Sequence, residues 1–260
     1  MNARRSIYLL GFAVLCASGL CAAQEITIAA AADLQFAMQD ITARFQKETG
    51  KTVKVIYGSS GNFFGQIQNG APFDMFFSAD LAYPKKLEAA GLTEPGSFYE
   101  YAKGKIVVWV RNDSGINLDS GLKALLDPSV KKIAIANPLH APYGQAAVSA
   151  MQKQGIYEQV KDKFVLGENI SQTATLIVSG AADIGVVALS LASSPNMKDK
   201  GRYVEVPSNE YPPIEQACVI LSSSKNQELA QKFLSFLKGD AISDLLAGYG
   251  FAFSNRTSKQ

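Results

Sequence analysis

The sequence is poor in the residues that most catalytic chemistry needs. It holds one histidine, His140, and three cysteines, of which Cys16 and Cys21 fall within the first two dozen residues. Zinc clusters, Ser-His-Asp triads and Cys-His pairs all require more such residues, or different placing. Cys218 is left alone in "EQACVILSSS". One thiol makes no internal disulfide, and in an apolar strand it reads as a small core residue. Charge of one sign is lacking too. Once Arg4 and Arg5 of the leader are set aside, 23 basic residues face 23 acidic ones. A neutral chain argues against nucleic acid or an anionic membrane surface as the main partner. There is no tandem repeat of short period, no low-complexity tract and no flexible linker.

The first residues are expected to be a leader. "MNARRSIYLLGFAVLCASGLCAAQE" has a basic start, an apolar stretch from Ile7 to Leu20 and a small-residue exit at Ala22-Ala23. That pattern predicts a secretory signal peptide over residues 1–23, cleaved before Gln24. The apolar run is shorter than the ~20 residues of a spanning helix, which sets a membrane anchor aside. Leu precedes both Cys16 and Cys21, where lipoprotein processing wants a small residue. The mature protein is expected in a bacterial periplasm.

The remaining chain alternates strands and helices. "EITIAA" is β-rich, and Leu34, Ala37, Met38, Ile41 and Phe45 then recur at helical spacing. Asp33 stands where an N-cap belongs and Gly50 just past the helix end. "TVKVIY", a Gly-rich loop with a short helix through Ile67, "DMFF" and "YPKKLEAAG" continue a β-α-β-α-β-α order. "GKIVVWVRND" reads as a long apolar strand leading into "LKALLDPSV", and a second unit of the same kind begins with "KKIAIANP". The fold class expected is α/β, with two mostly parallel-sheet lobes and a cleft between them. Ligands of such sheets bind outside the carboxyl ends of strands, where helix N-termini converge.

Four strand-to-helix turns answer that description: "AAAADLQ", "YGSSGN", "NPLHAPYGQ" and "GENISQT". Each offers unpaired backbone N–H groups and the positive end of a helix dipole. Ser59, Ser60 and Ser171 add hydroxyls. Taken singly, "GSSGN" is an ordinary turn with an N-cap and "APYG" a helix start with Pro near N1. Together, at equivalent strand ends, they suggest an anion site without Lys or Arg. A phosphoryl-transfer enzyme needs cations or a metal to stabilise its transition state. A receptor that must release its cargo does not. Neutral donors can hold a fully ionised oxyanion through hydrogen bonds worth about 1.5–3 kcal/mol each.

The stretches "AAAADLQFAMQDI", "YGSSGNFFGQIQNGAPFDMFFSAD", "ANPLHAPYGQAA" and "SGAADIGVVAL" resemble the molybdate-binding periplasmic proteins of ABC transporters, in order and over nearly the whole mature chain. The resemblance implies a type II periplasmic-binding-protein fold whose lobes close on molybdate or tungstate. A membrane permease would then receive the anion. Lobe I would comprise residues 24–104 plus 214–260 and lobe II residues 105–213, with a hinge at the crossovers near 102–106 and 210–216. It implies a monomer, not an enzyme, with no cofactor and with molybdenum held as an oxyanion rather than by side chains.

The family's site positions fall on Asp33, Ser60, Tyr143 and Ile170. Ser60 would donate through hydroxyl and amide, Tyr143 and Ile170 through their amides. Many members carry Ser where this chain has Asp33, and a carboxylate facing a dianion is repulsive. Asp33 is therefore expected to offer only its amide while its side chain caps the helix. Direct carboxylate–metal contact, in an expanded octahedral geometry, would want a pair of carboxylates, and no obvious second one sits in the other three turns. Ala188 stands where many members have a Tyr that reaches the anion, so one donor is missing. His140 is read as a loop residue near the cleft, and Trp109, Phe63 and Phe64 as packing residues. The rival readings are a sulfate receptor, a hydrolase using Ser60 as nucleophile, and a cation receptor built on Asp33 and tyrosines.

Overall fold

The structure, a computed structural model, describes residues 25–253. The expected signal peptide lies outside the described residues.

Two five-stranded sheets organise the chain. The first contains β1 (Glu25–Ala31), β2 (Thr52–Gly58), β3 (Met75–Ser78), β4 (Tyr99–Gly104) and β10 (Ile214–Ile220), in the order β2-β1-β3-β10-β4. The second contains β5 (Ile106–Arg111), β6 (Ile133–Ala136), β7 (Phe164–Gly167), β8 (Ile184–Ala188) and β9 (Gly201–Glu205), in the order β7-β6-β8-β5-β9. In each sheet four strands point one way and a single strand, β10 or β5, runs against its neighbours. The mostly parallel lobes expected from the alternating pattern are present. "GKIVVWVRND", which reads as one long strand, begins at the tail of β4 and breaks at Lys105, where the chain leaves the first sheet for the second.

Side-chain periodicity decides what each face of the first sheet holds. Ile26, Ile28 and Ala30 of β1 point to one core, with α1 (Gln35–Thr49), α8 (Gln227–Leu237) and α9 (Asp240–Gly248) packed over them. Ala29 points the other way, into a smaller core under α2 (Ser60–Gln68) and α3 (Ala82–Ala89). The α1 stripe of Ala37, Met38, Ile41 and Phe45 is buried, and Gly50 closes the helix at φ 69°, a left-handed conformation that favours glycine. Phe45 meets Phe233 of α8 edge to face at 5.0 Å.

The second sheet carries α4 (Pro142–Lys153), α5 (Tyr157–Val160), α6 (Ile170–Val178) and α7 (Leu189–Ala192). Trp109 of β5 is fully buried there, as its packing reading requires. Ala31, Ala32 and Ala79 of the first lobe join this core across the seam. Small side chains at these positions let two backbones approach closely. Cys218 is a free, buried thiol on β10, and burial pushes its pKa up, away from any nucleophilic range. Among the described residues no helix is long and apolar enough to cross a membrane.

Candidate oxyanion site between the lobes

The four turns singled out in the sequence meet at one cavity. Its walls include Ala31, Ala32 and Asp33 from the end of β1, and Gly58, Ser59 and Ser60 from the end of β2. Ala141, Pro142 and Tyr143 follow β6, and Ile170 follows β7. The space is tight, about 10 Å³ for the centre of a water-sized sphere. Asp33, Ser60, Tyr143 and Ile170 are each at most 4% exposed. No Lys, Arg or His side chain lines it.

Three helices begin at its wall. Ser59 caps α2, its Oγ accepting from the Asn62 amide at 3.4 Å. Asn169 caps α6, its side chain accepting from the Ser171 and Gln172 amides at 3.0 Å each. Pro142 opens α4 at N1, where a missing N–H costs nothing. The amides of Ser60, Tyr143 and Ile170 come in the first turn, too early for an intrahelical acceptor, and none has a partner among the described residues. Ser60 Oγ accepts from the Ala79 amide at 2.9 Å, which leaves its own O–H free to donate.

The first turn differs from expectation. Ala32–Leu34 form a single 3-10 turn before α1, Leu34 occupies the N-cap position of α1, and no side chain caps either helix. Asp33 is therefore not a helix cap. Its Oδ2 accepts from the Tyr143 hydroxyl at 2.9 Å and from Gln216 Nε2 at 2.7 Å. Gln216 is in turn held by the Tyr101 hydroxyl, which donates to Oε1 at 2.7 Å. The Ser190 hydroxyl donates to the Asp33 carbonyl at 2.8 Å. Asp33 lies inside the 3-10 turn rather than at either N-cap, and two donors from outside the turn hold its Oδ2.

Electrostatics follow from this burial. Desolvation raises the Asp33 pKa from 3.8 to about 6, against the pull of the Gln216 and Tyr143 donors. Burial, then the nearby Asp33 charge, holds the Tyr143 and Tyr101 hydroxyls well above the usual phenol range. Both stay neutral donors. Asp33 Oδ1 has no hydrogen-bond partner among the described residues.

The seam is also bonded outside the cavity. The Gly61 amide donates to the His140 carbonyl at 2.9 Å, and His140 Nδ1 lies 2.9 Å from Ser59 Oγ. His140 Nε2 stands 3.5 Å from a Glu168 carboxylate oxygen. The Ser171 hydroxyl donates to Gln35 Oε1 at 2.6 Å. A Cβ at Gly61 would lie 2.7 Å from Tyr83 Oη and 2.8 Å from the His140 carbonyl, so this contact needs glycine. A Cβ at Gly104 would overlap the Tyr143 hydroxyl.

Tyr143 was expected to act through its amide alone, and its hydroxyl proves to be the link between lobes. Gln216, Tyr101 and Ser190 escape sequence reasoning. Gln216 left one weak signal, a polar residue within the otherwise apolar "ACVI" strand region. Ala188 is fully buried at the N-cap of α7 and is not part of the cavity wall. Phe63 packs edge to face on Phe73 at 5.6 Å and is not among the residues of the cavity wall.

A family model described as bacterial extracellular solute-binding protein matches residues 26–252. The molybdate-binding protein ModA of Azotobacter vinelandii is 40% identical over 233 residues, covering 89% of this chain and 92% of that protein. ModA of Rhodobacter capsulatus is 39% identical over 230 residues, covering 88% and 89%. The solved Azotobacter vinelandii periplasmic molybdate-binding protein superposes with a TM-score of 0.84 at 33% identity, covering 88% of this chain and all of that one. The four converging turns and these likenesses agree: the chain belongs to the bacterial extracellular solute-binding protein family, in its ModA group.

Proposed function

We propose that the protein is an extracytoplasmic receptor for molybdate, taking tungstate as well, that hands its cargo to the membrane permease of an ABC transporter. The observation that carries this reading is the meeting of four turns, from both lobes, at a tight cavity without cationic side chains in its wall. An oxyanion there is held by the amides of Ser60, Tyr143 and Ile170, the Ser60 hydroxyl and the turn at Asp33. Uncompensated charge on the anion is spread over short, charge-assisted hydrogen bonds and three helix dipoles. Release then requires only that the lobes part, because no ion pair must be broken.

The lobes are residues 24–104 with 214–260, and residues 105–213. They hinge where the chain passes between the sheets, at Lys105 and between β9 and β10. The leader, residues 1–23, directs export to the periplasm and is removed. The receptor acts as a monomer and catalyses nothing: Ser60 Oγ is bonded to the Ala79 amide, and no histidine or carboxylate is hydrogen-bonded to it to take its proton.

Calorimetric titration with molybdate, tungstate, sulfate, phosphate and ferric ion tests the reading. Tight binding is expected for molybdate and tungstate, with sulfate weaker because its shorter bonds leave the cage slack. Preference for sulfate or iron over both would end it. In the melting assay, ligand raises Tm by an amount that follows the logarithm of concentration over Kd.

A further inference from the structure

This inference rests on the proposed function and concerns what Asp33 does inside it. Among the buried side-chain oxygens and nitrogens that lack a partner in the described residues, Asp33 Oδ1 is the one belonging to the cavity wall. Its sister oxygen is fully engaged by Tyr143 and Gln216. The carboxyl group cannot swing away, because Gln216 is itself fixed by Tyr101 and the residue is 1% exposed. An incoming dianion therefore meets an oxygen that is either a bare negative acceptor or, once protonated, a donor. The amides of Ser60, Tyr143 and Ile170 and the Ser60 hydroxyl are donors, and no Lys, Arg or His side chain lines the cavity to offset a third negative charge.

We propose that Asp33 engages the oxyanion as a carboxylic acid, donating Oδ1–H to an anion oxygen, so that each bound dianion draws one proton from solvent into the site. The only bond formed is Oδ1–H, and the proton returns to water when the anion leaves.

The surroundings leave little else to titrate. Tyr143 on α4 and Tyr101 on β4 remain neutral, held above their usual range. Gln216 on β10, Ser190 on α7, Ile170 on α6 and Ser59 and Ser60 at α2 carry no charge. No charged residue occurs on α6 or α7, and those of α1 and α4 begin at Asp40 and Lys153, a turn or more beyond the site. Glu215 neighbours Gln216 but points to the other face of β10, paired with Lys103 at 2.8 Å. Asp80, felt by Tyr101, is also pushed up by burial. His140 touches Ser59 and must be controlled separately.

With the free carboxyl near pH 6, apparent affinity is flat at lower pH and weakens roughly tenfold per pH unit above it. The full-length protein, purified after export, is titrated calorimetrically with sodium molybdate at pH 8, in buffers of differing ionisation enthalpy. The heat should vary with buffer, with a slope approaching one proton taken up per anion. Asp33→Asn should bind with buffer-independent heat and a Kd that no longer changes between pH 5.5 and 8. His140→Gln should keep the proton uptake.

Buffer-independent heat in the unaltered protein, with molybdate bound, overturns the proposal while leaving the receptor reading intact. Uptake that survives Asp33→Asn and disappears in His140→Gln overturns it equally. Tighter binding of inorganic phosphate than of molybdate would mean that an ionised Asp33 accepts the proton of hydrogen phosphate, again the opposite of the proposal. Absence of any heat with molybdate or tungstate at every pH defeats the receptor reading itself. Should Asp33→Asn fail to fold, the buffer series on the unaltered protein still decides.

Discussion

The Tyr143 hydroxyl donates to Asp33 Oδ2 at 2.9 Å, joining the first helix start of one lobe to a helix start of the other. Gln216 Nε2 lies 3.0 Å from the same hydroxyl and 2.7 Å from the same carboxylate oxygen. A three-membered cluster thus ties the lobes together directly behind the cavity. Closing the cleft and ordering the anion donors are, on this geometry, one event.

Tyr143→Phe removes the hydroxyl and leaves the backbone amide in place. The closed state loses the buried hydrogen bonds of that hydroxyl to Asp33 and Gln216, for which about 1–2 kcal/mol is a reasonable loss. Molybdate affinity should fall roughly 5- to 30-fold, mostly through faster dissociation. Stopped-flow release rates check this. An unchanged rate would show that the cluster does not hold the lobes shut.

Ser60→Ala deletes one proposed donor to the anion and the acceptor of the Ala79 amide. Affinity is expected to drop by tenfold or more, since a charge-assisted hydrogen bond is lost. Equal affinity in a calorimetric titration would take the Ser60 side chain out of the site.

Gly61→Ala tests closure without touching any donor. Its new methyl would press on Tyr83 Oη at 2.7 Å and on the His140 Cβ and carbonyl at 2.8 Å, on the facing lobe's side of the seam. The ligand-free melting temperature should change little, while the rise on adding molybdate shrinks. A full ligand-induced rise would mean that the seam gives way easily there.

Asp33→Asn should stabilise the ligand-free protein near neutrality. The folded-state pKa is raised, from 3.8 to about 6, so the native state binds more protons than the unfolded chain within that window. Stability attributable to Asp33 is therefore full below pH 4, falls as pH rises towards 6, and stays reduced above it. Two pKa steps correspond to up to about 3 kcal/mol. Denaturant unfolding should show the variant ahead of the unaltered protein at pH 7 and level with it at pH 4. A variant that is weaker at pH 7 would indicate that the ionised carboxylate is worth more to the Tyr143–Gln216 cluster than its burial costs.

How much of this was legible beforehand varies by element. The α1 stripe, the Gly50 terminus and the strand "EITIAA" follow from local periodicity and turn chemistry, and the structure has them. "GKIVVWVRND" holds the apolar strand expected of it, Ile106–Arg111, but an apolar run says nothing about which sheet takes it, and Gly104 before it still belongs to the first. Asp33 was misread as a cap. A short polar side chain just before a helix commonly caps it, but here the residue lies inside the 3-10 turn, and Tyr143 and Gln216 hold its Oδ2.

The amino-acid sequence by itself determined the alternation of strands and helices, the four polar helix starts and the absence of cations among them. These are encoded within a few residues, by spacing, small side chains and capping groups. Only the tertiary structure decided that the carboxylate of Asp33 meets a hydroxyl 110 positions away and an amide 183 positions away, with a serine 157 positions away on its carbonyl. Contacts at such separations depend on how two sheets dock, and no local propensity carries that information.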